Sequence, residues 1–328
     1  MRYQEKLVTK QARRQFAFAC LALLACALPA LAQPTQIKII VPYTPGSGPD
    51  ILSRLMANEI GRAQGLTVLV ENRPGGGTIV GTEMVARADP DGGTLLLVGN
   101  SFAVNPALGK GSYDIKSFAP VCYLASTPLV LVVKGDSPYR TLNDLLAAAR
   151  AKPGELSLAS GGPASALHVA FEVVRRAAKV TMTYVPYGGT APAINALMGG
   201  HVTSVFADYP TVVAQLQSGA LRGLVTTSPA RVATLPDVPT LDETGLTKYD
   251  ADIFYGIVAP AKTPGEVLTR LSDWFLAALD APDTKPKLAA QGLFRAGQCG
   301  AKFGAFLSTQ VEDYTRIIRE TGIKAEDN

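Results

Sequence analysis

The sequence predicts an α/β protein of two lobes facing each other across a cleft, and three observations point there. Short β-branched runs alternate with amphipathic helical stretches, which implies repeated strand–loop–helix units and a largely parallel sheet. A chain of 328 residues exceeds one ordinary domain and suits two lobes of roughly 100–150 residues each. Finally, one unit is echoed: Val41-Pro42-Tyr43 and Val185-Pro186-Tyr187 each end a strand, and each leads through small residues to a Pro and an Ile. Two lobes presenting the same strand–loop–helix unit can face each other, although short loops also resemble one another by chance.

In chain order, Ile37–Val41, Thr67–Glu71 and Thr94–Val98 read as strands, with helices over Ile51–Ala63 and Thr78–Ala88 between them. Leu129–Val133 is strand-like and Leu142–Ala151 helical. Leu156–Ala159 leads into a helix over Ala164–Ala177. Met182–Val185, Val202–Phe206 and Leu221–Thr226 continue as strands around the helices Ala191–Met198 and Thr211–Gln217. Phe254–Val258 reads as a strand returning to the first lobe, which the helices Pro264–Leu279 and Lys302–Thr321 complete. The expected division is therefore residues 34–134 plus 254–328 for the first lobe and 135–253 for the second.

Residues 1–32 read as a leader rather than part of the fold. Arg13 and Arg14 precede an apolar run from Phe16 to Leu28, and Ala30-Leu31-Ala32 supplies a small-residue cleavage site, placing the mature start at Gln33. Arg13-Arg14-Gln15-Phe16 leaves the Tat route open beside Sec, and Leu23-Leu24-Ala25-Cys26 leaves open a lipid anchor on Cys26. The apolar run is shorter than the ~18–20 residues that span a bilayer. Export to the periplasm is the expectation.

The leader carries five of the 31 basic residues and one of the 27 acids, so 26 of each remain and the mature chain is formally neutral. With no Lys/Arg cluster, a nucleic-acid partner is not expected. Cys122 and Cys299 are the cysteines beyond the leader, and they read either as a disulfide of an oxidising compartment or as two small buried apolar groups. His168 and His201 are the only histidines and lack metal-ligand spacing. No G-x-S-x-G elbow or Walker loop occurs, and Asn72–Gly77 meets Val80 where a dinucleotide loop needs glycine. No cofactor, metal or catalytic residue is expected, and the chain reads as a non-enzyme.

Ligands of open α/β sheets sit beyond the carboxyl ends of strands, where loops hand over to helices. Gly46-Ser47-Gly48 lies at such a place, where glycines allow close backbone approach and a helix start offers unpaired N–H groups to an anion. Asp50 could cap that helix. Ser160-Gly161-Gly162-Pro163-Ala164-Ser165 repeats the logic, with hydroxyls in place of charge and His168 on the face of Ser165. As plain turns, these loops need no ligand.

Several further motifs occur in a fixed order. Glu71-Asn72-Arg73-Pro74-Gly75 and Asp89-Pro90-Asp91-Gly92 follow the first Val-Pro-Tyr. Gly189, Gly199-Gly200, Ser218-Gly219 and Leu235-Pro236-Asp237-Val238-Pro239-Thr240 follow the second. Together, from about Ile37 to Lys324, they resemble the Bug receptors, the extracytoplasmic binding components of tripartite tricarboxylate transporters. The resemblance implies the type II periplasmic binding protein fold, with a hinge and an interlobe ligand cleft. It also implies a small carboxylate held by backbone N–H groups, hydroxyls and water.

Carried over, the binding residues are Thr44, Gly46, Ser47, Gly48 and Asp50 in the first loop, then Asn100 and Ser101. Ser160, Gly161, Ser165 and His168 come from the second loop, Tyr187, Gly188, Gly189 and Thr190 from the third, and Asp208 last. Asp208 could hold a ligand amino group or cap the next helix. The implied partners are membrane permease subunits or, as an alternative, a sensor kinase, with the receptor a monomer. Pro49, Pro163, Ala164, Ala166 and Leu167 stand where the family more often has polar residues or glycine. That tilts the expected ligand toward an aromatic or alkyl carboxylate and away from a citrate-like one.

Overall fold

The computed structural model describes residues 36–321 apart from 163–164, 229 and 248–251. The leader, Cys26 and Gln33 lie outside the described residues. Eleven strands form two sheets within them. The first sheet is built from β1 (Gln36–Val41), β2 (Thr67–Asn72), β3 (Thr94–Val98), β4 (Phe118–Thr127), β10 (Ile253–Pro260) and β11 (Phe294–Cys299), in the order β11-β4-β10-β3-β1-β2. The second holds β5 (Leu129–Lys134), β6 (Ser157–Ser160), β7 (Thr183–Pro186), β8 (Ser204–Asp208) and β9 (Leu221–Thr226), in the order β7-β6-β8-β5-β9.

Period-two alternation sends successive side chains of the first sheet into different cores. Ile37, Ile39 and Val41 face one core, together with Leu52, Met56 and Ile60 of α1 (Gly48–Gln64) and with Leu271 and Phe275 of α8 (Gly265–Asp280). Those spacings of four put one helix face on the sheet. Ile40, Leu96 and Val98 point the other way, onto Phe254 and Phe303. The second sheet divides likewise. Leu129, Leu131 and Val133 meet Leu142, Leu145 and Leu146 of α4 (Leu142–Ala151), while Val130 and Val132 meet α6 (Thr190–Met198) and α7 (Tyr209–Gln217).

Local signals set the helix ends. Gly65 closes α1 at φ 65°, its N–H donating to the Gly61 carbonyl, a left-handed cap that glycine adopts without penalty. Thr141 and Asp144 form a reciprocal capping box at α4.

The sheets are less parallel than the sequence predicts. β1 pairs in parallel with β2 and β3, and β6 with β7 and β8, but β10 and β11 run antiparallel to β4, and β5 runs antiparallel to β8 and β9. β5 also departs from the expected division, because its pairing puts it in the second sheet rather than before a boundary at residue 134. An apolar run such as Leu129–Val133 fits either sheet by pattern, and only its partners decide. Cys122 and Cys299, partners across β4 and β11, form a disulfide that staples the edge strand to the sheet.

Three elements tie the lobes together. Ala103 and Val104 of α3 (Ser101–Ala107) and Tyr314 and Ile318 of α10 (Ala301–Thr321) pack against Val169 of α5 (Ala166–Ala178), which follows β6 in the second sheet. Among the described residues, no helix is long and apolar enough to cross a membrane.

Candidate functional site

A cavity of about 540 Å³ lies between the sheets. The loops after β1, β2 and β3 wall it on one side, the loops after β6 and β7 and the end of β8 on the other. All six lie beyond the carboxyl ends of strands that pair in parallel with a neighbour, where open α/β sheets bind ligands. The two Val-Pro-Tyr units meet here. A side chain on Gly189 would collide with that of Thr44, so the lobes touch closely at this point. The Thr44 hydroxyl oxygen is buried and has no hydrogen-bond partner among the described residues.

The start of α1 does not face the cavity in the way the sequence suggests. The Gly48 N–H donates to Asp208 Oδ2 at 2.8 Å and to Thr211 Oγ1 at 3.1 Å. A protein carboxylate from the opposite lobe therefore occupies the anion-binding position at this helix terminus. Asp208 also accepts from Thr211 at 2.8 Å, from the Tyr255 hydroxyl at 3.3 Å and from the Thr190 side chain. Burial pushes its carboxyl above the ordinary aspartate range, and these bonds only partly offset that rise. Asp208 lines the cavity as expected, but its Oδ2 is already held across the lobe interface rather than left for a ligand amine.

The other side of the cavity offers open donors. Gly188, Gly189 and Thr190 line it, and Gly189 starts α6 with no side chain capping the helix. The N–H groups of that first turn carry the partial positive charge of a helix start. α5 is different, because Ser165 accepts from the His168 N–H at 3.2 Å and donates to the Gly162 carbonyl at 2.7 Å. Its hydroxyl is a helix cap, although the residue lines the cavity.

Of the residues expected to bind, Thr44, Ser47, Asn100, Ser101, Gly161, Ser165, Tyr187, Gly188, Gly189, Thr190 and Asp208 line this cavity. Gly46, Gly48, Asp50, Ser160 and His168 do not. Asp50 is 3% exposed and accepts from the Gly46 N–H at 2.9 Å, Arg54 Nε at 3.0 Å and Asn72 Nδ2 at 2.9 Å. Burial raises its carboxyl, but Arg54, the Gly46 N–H and Asn72 outweigh that and leave it below the usual range. It fixes the loop from behind. The Tyr184 hydroxyl donates to the Gly162 carbonyl at 2.9 Å and accepts from the Ser160 hydroxyl at 2.8 Å, shaping a turn whose φ of 123° calls for glycine. His168 stacks on Tyr184 with ring centroids 4.1 Å apart, in the packing behind the loop. Asn100 lines the wall, but its amide bonds the Phe254 N–H and the Tyr314 hydroxyl.

The sequence reading misses part of the wall. Gly75, Gly76 and Gly77 all have positive φ, and they border the cavity together with Thr78, Asn105 and Lys110. Three glycines after a strand were a usable signal, obscured once the dinucleotide pattern failed. Lys110 had no local signal, because α3 itself is not predicted.

The geometry has counterparts. The model of the tripartite tricarboxylate transporter family receptor matches residues 52–323. Protein BugT of Bordetella pertussis is 30% identical over 292 residues, covering 88% of this chain and 90% of that protein. An R. palustris protein solved with adipate is 27% identical with a TM-score of 0.85, over 89% of this chain and 99% of that one. MatC from Rhodopseudomonas palustris, solved with bound malate, is 26% identical with a TM-score of 0.81, over 87% and 99%. With the family model spanning most of the sequence and the fold shared nearly end to end, this chain belongs to the Bug receptors, the receptor family of tripartite tricarboxylate transporters.

Proposed function

We propose that the chain captures a small organic carboxylate between its lobes in the periplasm and presents the closed form to membrane permease subunits of a tripartite tricarboxylate transporter. The observation that carries this is the cavity at the carboxyl ends of strands from both sheets. One rim holds an uncapped helix start at Gly189–Thr190, and facing it is the unpartnered Thr44 hydroxyl. Such donors suit a carboxylate without requiring a cation against it. The adipate- and malate-bound relatives support the ligand class. Ile79, Leu167 and Ile253 on the wall favour an alkyl or aromatic body behind the acid group.

The lobes in this reading are residues 36–127 with 253–321, and 129–226. They join at Pro128 and on the return to Ile253, residues 239–241 pairing with β9 of the second lobe. Hinge motion at these two crossings opens and closes the cavity, and Asp208 clasps the closed form through Gly48 and Tyr255.

A melting-temperature screen of small carboxylates against their amides tests the ligand class. An acid at 100 times its dissociation constant should stabilise the fold by ~2.7 kcal/mol, with the matching amide giving little. An amide or a neutral sugar that stabilises as well as the best acid would overturn the reading.

A further inference from the structure

We infer that Lys110 selects a second acidic group on the ligand, at the end of the cavity formed by the Gly75–Thr78 loop and the end of α3. The inference rests on the carboxylate reading above and adds the residue that discriminates a dianion from a monoanion. Among the described residues of the wall, Lys110 is the single lysine or arginine, and Asp208 is the single acid. Its ammonium makes no hydrogen bond or ion pair among the described residues, whereas Arg54, Arg62 and Arg73 of the same lobe pair with carboxylates.

The backbone places Lys110 firmly. Its N–H donates to the Asn105 carbonyl at 2.8 Å, and Gly109 and Leu108 close the same turn onto Pro106 and Val104. Asn105, fully buried, holds the glycine loop through Nδ2, which donates to the Gly77 carbonyl at 2.8 Å and to Thr78 Oγ1 at 3.3 Å. Thr78 sits at φ 84°, a left-handed conformation that a β-branched residue adopts at a cost. Buried Thr78 and Asn105 in the same wall as a half-buried cation make a polar corner that alkyl groups alone would leave unmatched. It suits an anionic end with a hydroxyl or bound water beside it. Lys110 is half-buried and also borders a shallower pocket with Tyr113 and Asp114, and its flexible stem carries a mobile point charge.

The test compares linear diacids of four to six carbons with their monoamides by calorimetric titration, in wild type, Lys110→Met, Lys110→Gln and Lys110→Arg. Wild type should prefer the best diacid over its monoamide by about tenfold. Met and Gln should bring that ratio near one while the monoamide binds as before, and Arg should restore part of the preference. A preference that survives in both neutral variants, or no preference in wild type, overturns the role of Lys110 and leaves the carboxylate reading standing. Failure of every acid to bind wild type overturns both.

Discussion

Valine in place of Gly48 should weaken carboxylate binding roughly 5- to 150-fold while the unliganded chain melts nearly as before. A Cβ at this position would overlap the Asp208 carboxylate and lie 2.8 Å from the Tyr255 hydroxyl oxygen. Both neighbours are buried and held by other bonds, so neither can yield easily. Overpacking of this kind costs about 1–3 kcal/mol, and the tighter clash, with Asp208, falls on the closed form because Asp208 belongs to the opposite lobe, whereas Tyr255 shares the lobe of Gly48. Each 1.4 kcal/mol is a factor of about ten in affinity. Gly189→Val should behave alike from the other side of the cavity, through its collision with Thr44. Titration calorimetry reads both. Wild-type affinity in Gly48→Val would mean that ligand binding does not require this contact.

Replacing Asp208 with alanine should have the second large effect, roughly 30- to 900-fold in affinity. The change leaves the Tyr255 hydroxyl without its acceptor across the interface and the Gly48 N–H with Thr211 Oγ1 alone. Buried donors stranded in this way cost about 1–3 kcal/mol each, and a total near 2–4 kcal/mol on the closed form corresponds to that loss. Asp208→Asn keeps an acceptor and should retain most of the binding. If alanine and asparagine weaken binding equally, the carboxylate matters for something other than these bonds. If neither weakens it, Asp208 is no clasp. Circular dichroism of each unliganded variant separates loss of closure from loss of fold.

Much of this arrangement was legible beforehand, and the omissions have physical causes. Strands such as Thr94–Val98 and Leu221–Thr226 announce themselves by β-branched and leucine runs, and they appear at the expected residues. β4 was missed because Pro120 and Cys122 interrupt its pattern and both of its faces are largely buried, so no alternation shows. β11 is half exposed and broken by Gly297 at φ 61°, which reads as a turn. α3 is seven residues long and contains Pro106, too short and too interrupted for periodicity to register.

The site followed the same rule. Glycine-rich loops after strands could be read from local pattern, and the Thr44, Gly161 and Gly189 loops do surround the cavity. Side-chain roles could not. Asp50 turns to Arg54 and Asn72, and His168 to Tyr184. Gly48 donates to a carboxylate 160 positions away. These partners are set by tertiary contact, which no local spacing encodes.

The central claim is that a small carboxylate closes two lobes over itself. Small-angle X-ray scattering of the chain from Gln33 onward, titrated with whichever acid raises its melting temperature most, reads this closure. The expected result is a smaller radius of gyration that saturates at one equivalent of acid, with Gly48→Val remaining in the more open form under the same conditions. A scattering profile unchanged at saturating acid, or equal compaction by the matching amide, would contradict it.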